Sequence, residues 1–142
     1  MVNKVFNNVL ELHGAFPDEQ SCVEQLEAIR WNGTVVSPYD TTSSVYKLKN
    51  NWYQCKNTGK RFNVRTGTMY ESSRVPLRKW FVAIWLFTYD KKGVPSTELA
   101  KMIGVTQKTA WFMLHRIRKC FGISDDEPPL SGTEVYKFLR EH

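Results

Sequence analysis

The chain has 142 residues, of which 42% are hydrophobic, and 20 Lys and Arg outweigh 14 Asp and Glu to give a net charge of +6. This size supports one modest hydrophobic core or two small ones in series, and the positive charge suits an anionic partner. The longest apolar run, residues 80–87, is far shorter than the roughly 20 residues that span a bilayer, so we expect no membrane partner.

Two further features indicate the compartment. The first residues lack the basic start and apolar stretch of a secretory signal. The three cysteines, Cys22, Cys55 and Cys120, are widely spaced and odd in number, so they do not form a disulfide framework. We therefore expect a cytoplasmic protein.

The N-terminal part predicts one helix. Residues 1–16 form a lead-in without a recognisable element. A helix then starts at Pro17-Asp18-Glu19, because Asp18 can cap it and apolar residues recur on one face afterwards. Gly33 is the expected C-terminal cap.

A small β module is predicted next. The segments 45–49 and 52–56 flank Asn50-Asn51, which suits a two-residue hairpin turn because asparagine tolerates positive φ. The predicted register pairs Tyr46 with Cys55 and Leu48 with Tyr53. More strand-like sequence follows at 61–64 and 68–70. Between residues 41 and 70 there are six Lys and Arg and no acidic residue.

Four positions in this module have the spacing of zinc ligands. Positions 37 and 40, and 55 and 58, form two pairs that are separated by fourteen residues. Only Cys55 is a thiolate donor, since Ser37, Asp40 and Thr58 occupy the other positions. A structural zinc ion requires four good donors, so we predict a zinc-ribbon-like module without metal, stabilised by apolar packing. No cofactor is expected.

The C-terminal half predicts three helices. Pro76 starts an apolar helix that Lys91-Lys92-Gly93 ends, and Ser96 caps a second helix. Gly104 supplies a tight turn, with the small Ala100 facing the crossing helix, and Thr106 opens the third helix. This layout is typical of a helix-turn-helix, whose last helix lies in the major groove of DNA. An acidic linker and tail, 123–142, follow.

The charge distribution favours DNA binding over the alternative of a three-helix bundle with a merely solvated basic face. Residues 74–122 contain ten Lys and Arg against Asp90 and Glu98, whereas residues 1–73 contain eight basic and seven acidic residues. Gln107 suits adenine, and Lys108 suits guanine or phosphate. Trp111 and Phe112 suit packing better than base contact, although Phe112 lies on the outward face of the helix. The predicted contacts on the third helix are Thr106, Gln107, Lys108, Thr109, Phe112, His115, Arg116 and Lys119, and those of the β module, which are less specific, are Lys47, Lys49, Lys60, Arg61 and Arg65.

No enzymatic site is predicted. Asp125-Asp126-Glu127 are adjacent in a proline-bounded linker and cannot converge on two metal ions. The sequence contains no Ser/His/Asp or Cys/His arrangement and no glycine-rich phosphate loop, so no small-molecule substrate is expected.

Several stretches together carry a family resemblance: 16–19, 30–33, 55–60, 62–68, Trp80, 91–94 and 105–118. They resemble the N-terminal DNA-binding portion of bacterial insertion-sequence transposases of the ISXO type. The resemblance implies a zinc-ribbon-like module plus a helix-turn-helix that recognises terminal inverted repeats, normally followed by a DDE-type catalytic domain. The sequence departs from the pattern at Ser37, Asp40 and Thr58, and no residue corresponds to the catalytic carboxylates.

The sequence thus predicts an α+β chain with a lead-in (1–16), a helix plus degenerate ribbon (17–73), a helix-turn-helix domain (74–122) and a tail (123–142). The leading hypothesis is a noncatalytic, nucleoid-associated module that binds double-stranded DNA. An alternative is a protein-interaction module that forms a homodimer or pairs with, and inhibits, intact transposase. A third is a fragment of an interrupted transposase.

Overall fold

The fold is α+β, as the sequence predicts, and its computed structural model describes residues 8–89 and 94–121. Within these ranges the elements in chain order are α1 (Val9–Ala15), α2 (Glu19–Trp31), β1 (Val45–Lys47), β2 (Tyr53–Cys55), β3 (Arg61–Phe62), α3 (Leu77–Tyr89), α4 (Ser96–Ile103) and α5 (Gln107–Phe121). The strands form one antiparallel sheet in the order β1-β2-β3.

Three predicted features lie outside the described residues. They are the end of the apolar helix at 91–93, the acidic linker and tail, and the side chain of Phe121. Among the described helices, none is long and apolar enough to cross a bilayer.

Helix α1 corrects the prediction that residues 1–16 contain no element. The Asn8 side chain accepts a hydrogen bond from the Glu11 N–H (2.9 Å) and so caps the helix. Leu12 is buried, and the Phe16 ring meets the Phe81 ring edge-on, with 4.9 Å between centroids. A seven-residue helix gives little periodic signal, and packing against α3 stabilises it.

Helix α2 starts where the sequence predicts, since Asp18 and Ser21 form a reciprocal capping box. Its C-terminal cap is Asn32, at φ 45°, and not the predicted Gly33, which follows at φ 96°. Asparagine adopts this left-handed conformation more readily than most residues, so Asn32 can cap the helix and Gly33 continues the turn after it.

The hairpin register differs from the predicted one by one residue. Val45 pairs with Cys55 and Lys47 with Tyr53. The Leu48 N–H donates to the Trp52 carbonyl (2.8 Å), so the loop contains three residues, 49–51. The shift turns Tyr46, which is 49% exposed, away from the core.

The predicted strand at 68–70 is also wrong. These residues form successive turns, in which the Thr68 N–H donates to the Arg65 carbonyl and the Glu71 N–H to the Thr68 carbonyl. Segment 63–75 therefore crosses from the sheet to α3 without strand partners for its backbone.

One hydrophobic cluster connects the sheet with all five described helices. On the sheet side, the rings of Trp31, Tyr53 and Phe62 contact one another, with centroids 5.5–6.0 Å apart. On the helix side, buried Trp80 meets the Tyr70 ring edge-on at 5.3 Å. Aromatic rings thus form much of the core on both sides of the molecule.

The last two helices follow the predicted layout closely. Gly104 is at φ 71°, and its N–H donates to the Ala100 carbonyl (2.9 Å). The hydroxyl of Thr106 accepts from the Thr109 N–H (3.2 Å) at the start of α5. Ser96 is the first residue of α4 and not its cap, which is Pro95, without a side-chain hydrogen bond. The predicted stripe is buried at Ala110, Met113, Leu114 and Ile117.

Glu19 joins the two halves of the described chain. Both of its carboxylate oxygens accept from the Leu77 N–H (2.6 and 2.9 Å), so a side chain from α2 caps the first turn of α3. The same carboxylate lies 3.8 Å from the Arg65 guanidinium. A negative group at a helix N-terminus is favoured by the orphan N–H groups and by the helix dipole.

We therefore expect Glu19→Ala to lower the free energy of unfolding by about 1–2 kcal/mol, because it leaves the α3 N-terminus without a charged acceptor. Urea denaturation followed by circular dichroism measures this change. Glu24→Ala, on the exposed face of the same helix, is the matched control and should change stability little. Equal stabilities of the two variants would contradict the assigned role of Glu19.

Candidate nucleic-acid interface

The outward face of α5 carries most of the predicted contact residues. Helix α5 contains no acidic residue. The side chain of Thr109 is half-buried, and the exposed positions on or beside the helix are Thr106, Gln107, Lys108, Trp111, Phe112, His115 and Lys119. Six of the predicted contact residues are thus exposed together on or beside this helix, and Trp111 is an exposed residue in addition to them.

Contrary to the sequence-based expectation for Trp111 and Phe112, Trp111 does not pack in the core. Its side chain is 55% exposed, and its ring lies nearly parallel to the His115 ring, with an interplanar angle of 9° and 5.3 Å between centroids. Phe112 is 49% exposed and meets Trp111 edge-on at 6.1 Å. Because positions 111 and 115 are one helical turn apart, the pair forms a preorganised aromatic surface beside the cations.

Arg116 has a structural task that the sequence did not reveal. Its Nη1 donates to the carbonyls of Met69 (3.0 Å) and Glu71 (2.9 Å), and its guanidinium lies 5.4 Å from the centre of the Phe112 ring. This predicted DNA contact therefore fixes segment 63–75 against α5, while its charge remains near the exposed face.

The predicted cations of the β module fall into two groups. Lys47, Lys49, Lys60 and Arg61 are exposed, and Lys60 lies over the Tyr39 ring at 5.1 Å. Arg65 is half-buried, and it donates to the Ser73 carbonyl (3.0 Å). Burial lowers the pKa of the Arg65 guanidinium. Arg65 is thus held within the fold, and the other four face solvent.

An exposed aromatic residue accompanies the cations of the hairpin. Trp52 lines a surface groove of about 670 Å³ together with Leu48, Lys49, Asn50 and Arg61. A tryptophan ring beside lysine and arginine is a common arrangement in nucleic-acid-binding surfaces, where bases stack and phosphates pair with cations.

The two ligand-spaced pairs of the β module meet through hydroxyl groups. The Ser37 hydroxyl is fully buried and accepts from the N–H groups of Tyr39 (3.1 Å) and Asp40 (3.3 Å). Burial raises the pKa of the Cys55 thiol, but hydrogen bonds from Ser37, Ser43 and Thr58 outweigh it and lower the pKa to about 6. The two pairs are thus close together.

These residues do not suit a structural zinc ion. Serine and threonine hydroxyls are poor zinc donors, and the Asp40 carboxylate is engaged by Thr42 (2.7 Å) and Asn57 (2.9 Å). Those hydrogen bonds lower the pKa of Asp40, with the bond from Asn57 contributing most. Within residues 8–89 and 94–121, no three His, Cys, Asp or Glu side chains are grouped as metal ligands.

Comparison with known proteins relates the chain to the proteins of transposable elements. Over 128 residues it is 31% identical to an uncharacterized protein in transposable element ISH50 of Halobacterium salinarum. The aligned region covers 87% of this chain and 42% of the length of that relative. No family model and no solved structure matches the chain.

The prediction of a ribbon-like module without metal can be tested by introducing cysteine at the other three ligand-spaced positions. We expect the purified wild-type protein to contain no stoichiometric zinc. The variant S37C/D40C/T58C should bind one zinc ion tetrahedrally, since the backbone already brings the two pairs together. Elemental analysis and cobalt absorption spectroscopy measure the binding. Zinc in the wild-type protein, or a folded triple variant that binds none, would contradict this interpretation.

Proposed function

We propose that this chain binds duplex DNA through α4 and α5, with α5 as the recognition helix in the major groove. The main observation that supports this proposal is the outward face of α5, which is exposed, basic and without a carboxylate. Major-groove recognition requires such a face, because the helix must approach two negatively charged backbones.

The connection between α4 and α5 supports this proposal. Gly104 adopts the left-handed conformation that ends α4, and Thr106 starts α5 two residues later. The Lys79 Nζ donates to the Gly104 carbonyl (3.3 Å), which fixes the turn to α3. The turn is therefore short and anchored, and the first turn of α5 projects from a rigid base.

Gln107 is the proposed base-reading residue, and Lys108 beside it is a proposed contact to guanine or to backbone phosphate. They occupy the first turn of α5, where recognition helices usually contact base edges. Both side chains are exposed and form no hydrogen bond or ion pair with the described part of the chain. A glutamine amide can accept from N6 and donate to N7 of adenine in the major groove, and a lysine can bond guanine or phosphate.

The β module supplies a second contact in this proposal. The exposed cations Lys47, Lys49, Lys60 and Arg61, together with Trp52, would bind the backbone without reading sequence. In this proposal Arg65 stabilises the fold and does not contact DNA, since its guanidinium donates to the Ser73 carbonyl and lies near Glu19.

The finer assignment rests on the relative and on the resemblance in sequence. We infer descent from insertion-sequence transposases of the ISXO type, with terminal inverted repeats as the DNA target. In this proposal the chain binds DNA without catalysing strand transfer, needs no cofactor, and acts at the nucleoid in the cytoplasm. The similarity to the ISH50 protein supports the link to a mobile element.

A second candidate function is protein interaction. Trp111 and Phe112 are exposed side by side on α5, and such large apolar residues are enriched in the central parts of protein interfaces. In this case a second copy of the chain or intact transposase would cover α5. Sedimentation of the DNA-free protein, alone and mixed with intact transposase, tests this candidate, because it predicts association that Trp111→Ala and Phe112→Ala abolish.

We expect Q107A/K108A to weaken binding to terminal-repeat DNA by tenfold or more, because each lost base or phosphate contact costs about 1 kcal/mol or more. Fluorescence anisotropy against repeat and random duplexes measures affinity and preference. Lys56→Ala, an exposed position on the hairpin, is the control and should bind like the wild type. Unchanged affinity of the folded double variant would refute the role of α5.

A further inference from the structure

A cleft of about 310 Å³ separates segment 72–75 from the first turns of α5. It is about ten times the roughly 30 Å³ that a water molecule occupies in the liquid, so it admits a group larger than a few waters. Hydroxyl, cationic and aromatic side chains line it, among them Ser72, Ser73, Arg74, Lys108, Phe112 and Arg116.

The charged residues that line this cleft are all positive. Arg74 comes from the segment, Lys108 and Arg116 come from α5, and none of the lining residues is acidic. The nearest carboxylate in sequence, Glu71, is turned elsewhere and accepts from the Gly67 N–H (3.1 Å). Three cations from two elements therefore converge on one concave space, which favours an anionic occupant.

The wall that carries Arg74 is held rigidly. Ser73 is held by three hydrogen bonds, because its carbonyl accepts from Arg65 (3.0 Å) and its hydroxyl accepts from the Trp80 indole (3.1 Å) and the Val75 N–H (3.2 Å). Arg116 binds the same segment at residues 69 and 71. Arg74 itself is exposed and forms no hydrogen bond or ion pair with the described residues, so its guanidinium is available to a ligand.

We propose that this cleft holds one backbone phosphate of the bound DNA, contacted by Arg74 from the segment and by Lys108 from α5. This inference rests on the proposed function and adds Arg74, and with it the link between the β module and α3, to the DNA interface. Arginine and lysine are the usual phosphate contacts, and such a contact fixes the register of a recognition helix on the duplex. Arg116 is a positioning residue here, since it orders the segment.

The test compares Arg74→Gln, Arg74→Lys and the control Lys56→Gln, which removes an exposed charge just after β2 at a position without an assigned DNA contact. Binding to a random-sequence duplex of about two helical turns is measured by anisotropy between about 50 and 200 mM salt. Arg74→Gln should bind up to about fivefold more weakly, with the slope of log K against log salt smaller by about 0.9. Arg74→Lys should restore the slope, and Lys56→Gln should leave it unchanged.

The outcomes separate this proposal from the proposed function. If the wild type binds duplex and Arg74→Gln has the same affinity and slope, the phosphate contact is refuted and DNA binding stands. If the folded wild type binds no duplex, both proposals fall. A weaker Arg74→Gln with an unchanged slope would show a structural effect and would also refute the contact.

A second measurement distinguishes DNA phosphate from a free anion. Amide resonances of residues 72–75 in the ¹⁵N-labelled protein are followed during additions of duplex or of inorganic phosphate at constant ionic strength. The proposal expects saturable shifts with duplex, and none with millimolar phosphate. Saturation by inorganic phosphate with no response to duplex would reassign the cleft to a small anion and overturn the proposal.

Discussion

The architecture depends on how the carbonyl groups of segment 63–75 are satisfied, because this segment has no strand partners. Arg30 donates to the Val64 carbonyl (2.9 Å), Arg65 to that of Ser73, and Arg116 to those of Met69 and Glu71. Half-buried backbone carbonyls need donors, and hydrogen bonds from charged groups contribute about 1.5–3 kcal/mol each. Three arginines from α2, the segment and α5 therefore determine its path and place the β module against the helices.

This use of arginine changes the meaning of the positive charge. The count of basic residues favours an anionic partner, but part of that charge is engaged inside the molecule, and burial lowers the pKa of Arg30 and Arg65. Among the cations that remain exposed, Lys108 and Lys119 lie on α5, Arg74 lies beside it, and Lys47, Lys49, Lys60 and Arg61 lie on the β module. Each of these surfaces has its own exposed tryptophan, which is Trp111 on α5 and Trp52 on the hairpin. The proposed interface is therefore a smaller and more aromatic surface than the sequence suggested.

In the β module, Ser37 and Cys55 lie in a network of hydrogen bonds beside an aromatic core. The Ser37 hydroxyl accepts hydrogen bonds from two backbone N–H groups of its own turn, and hydroxyl groups surround the buried Cys55. The Trp31, Tyr53 and Phe62 rings form the adjoining core. Hydrogen bonds and aromatic packing thus supply the contacts between the two pairs.

The sequence by itself determined the features whose signals are local. The Asp18 cap, the left-handed turn at Gly104, the buried stripe of α5 and the outward direction of Lys108 follow from residue type and helical period. Only the tertiary structure decided the hairpin register, helix α1, the exposure of Trp111 and the cleft beside Arg74. These depend on contacts between residues distant in the chain: a loop of three residues in place of two shifts a register, and the Arg116 bonds to residues 69 and 71 form one wall of the cleft. Periodicity shows which face of a helix is exposed, but the distances between elements are set by packing.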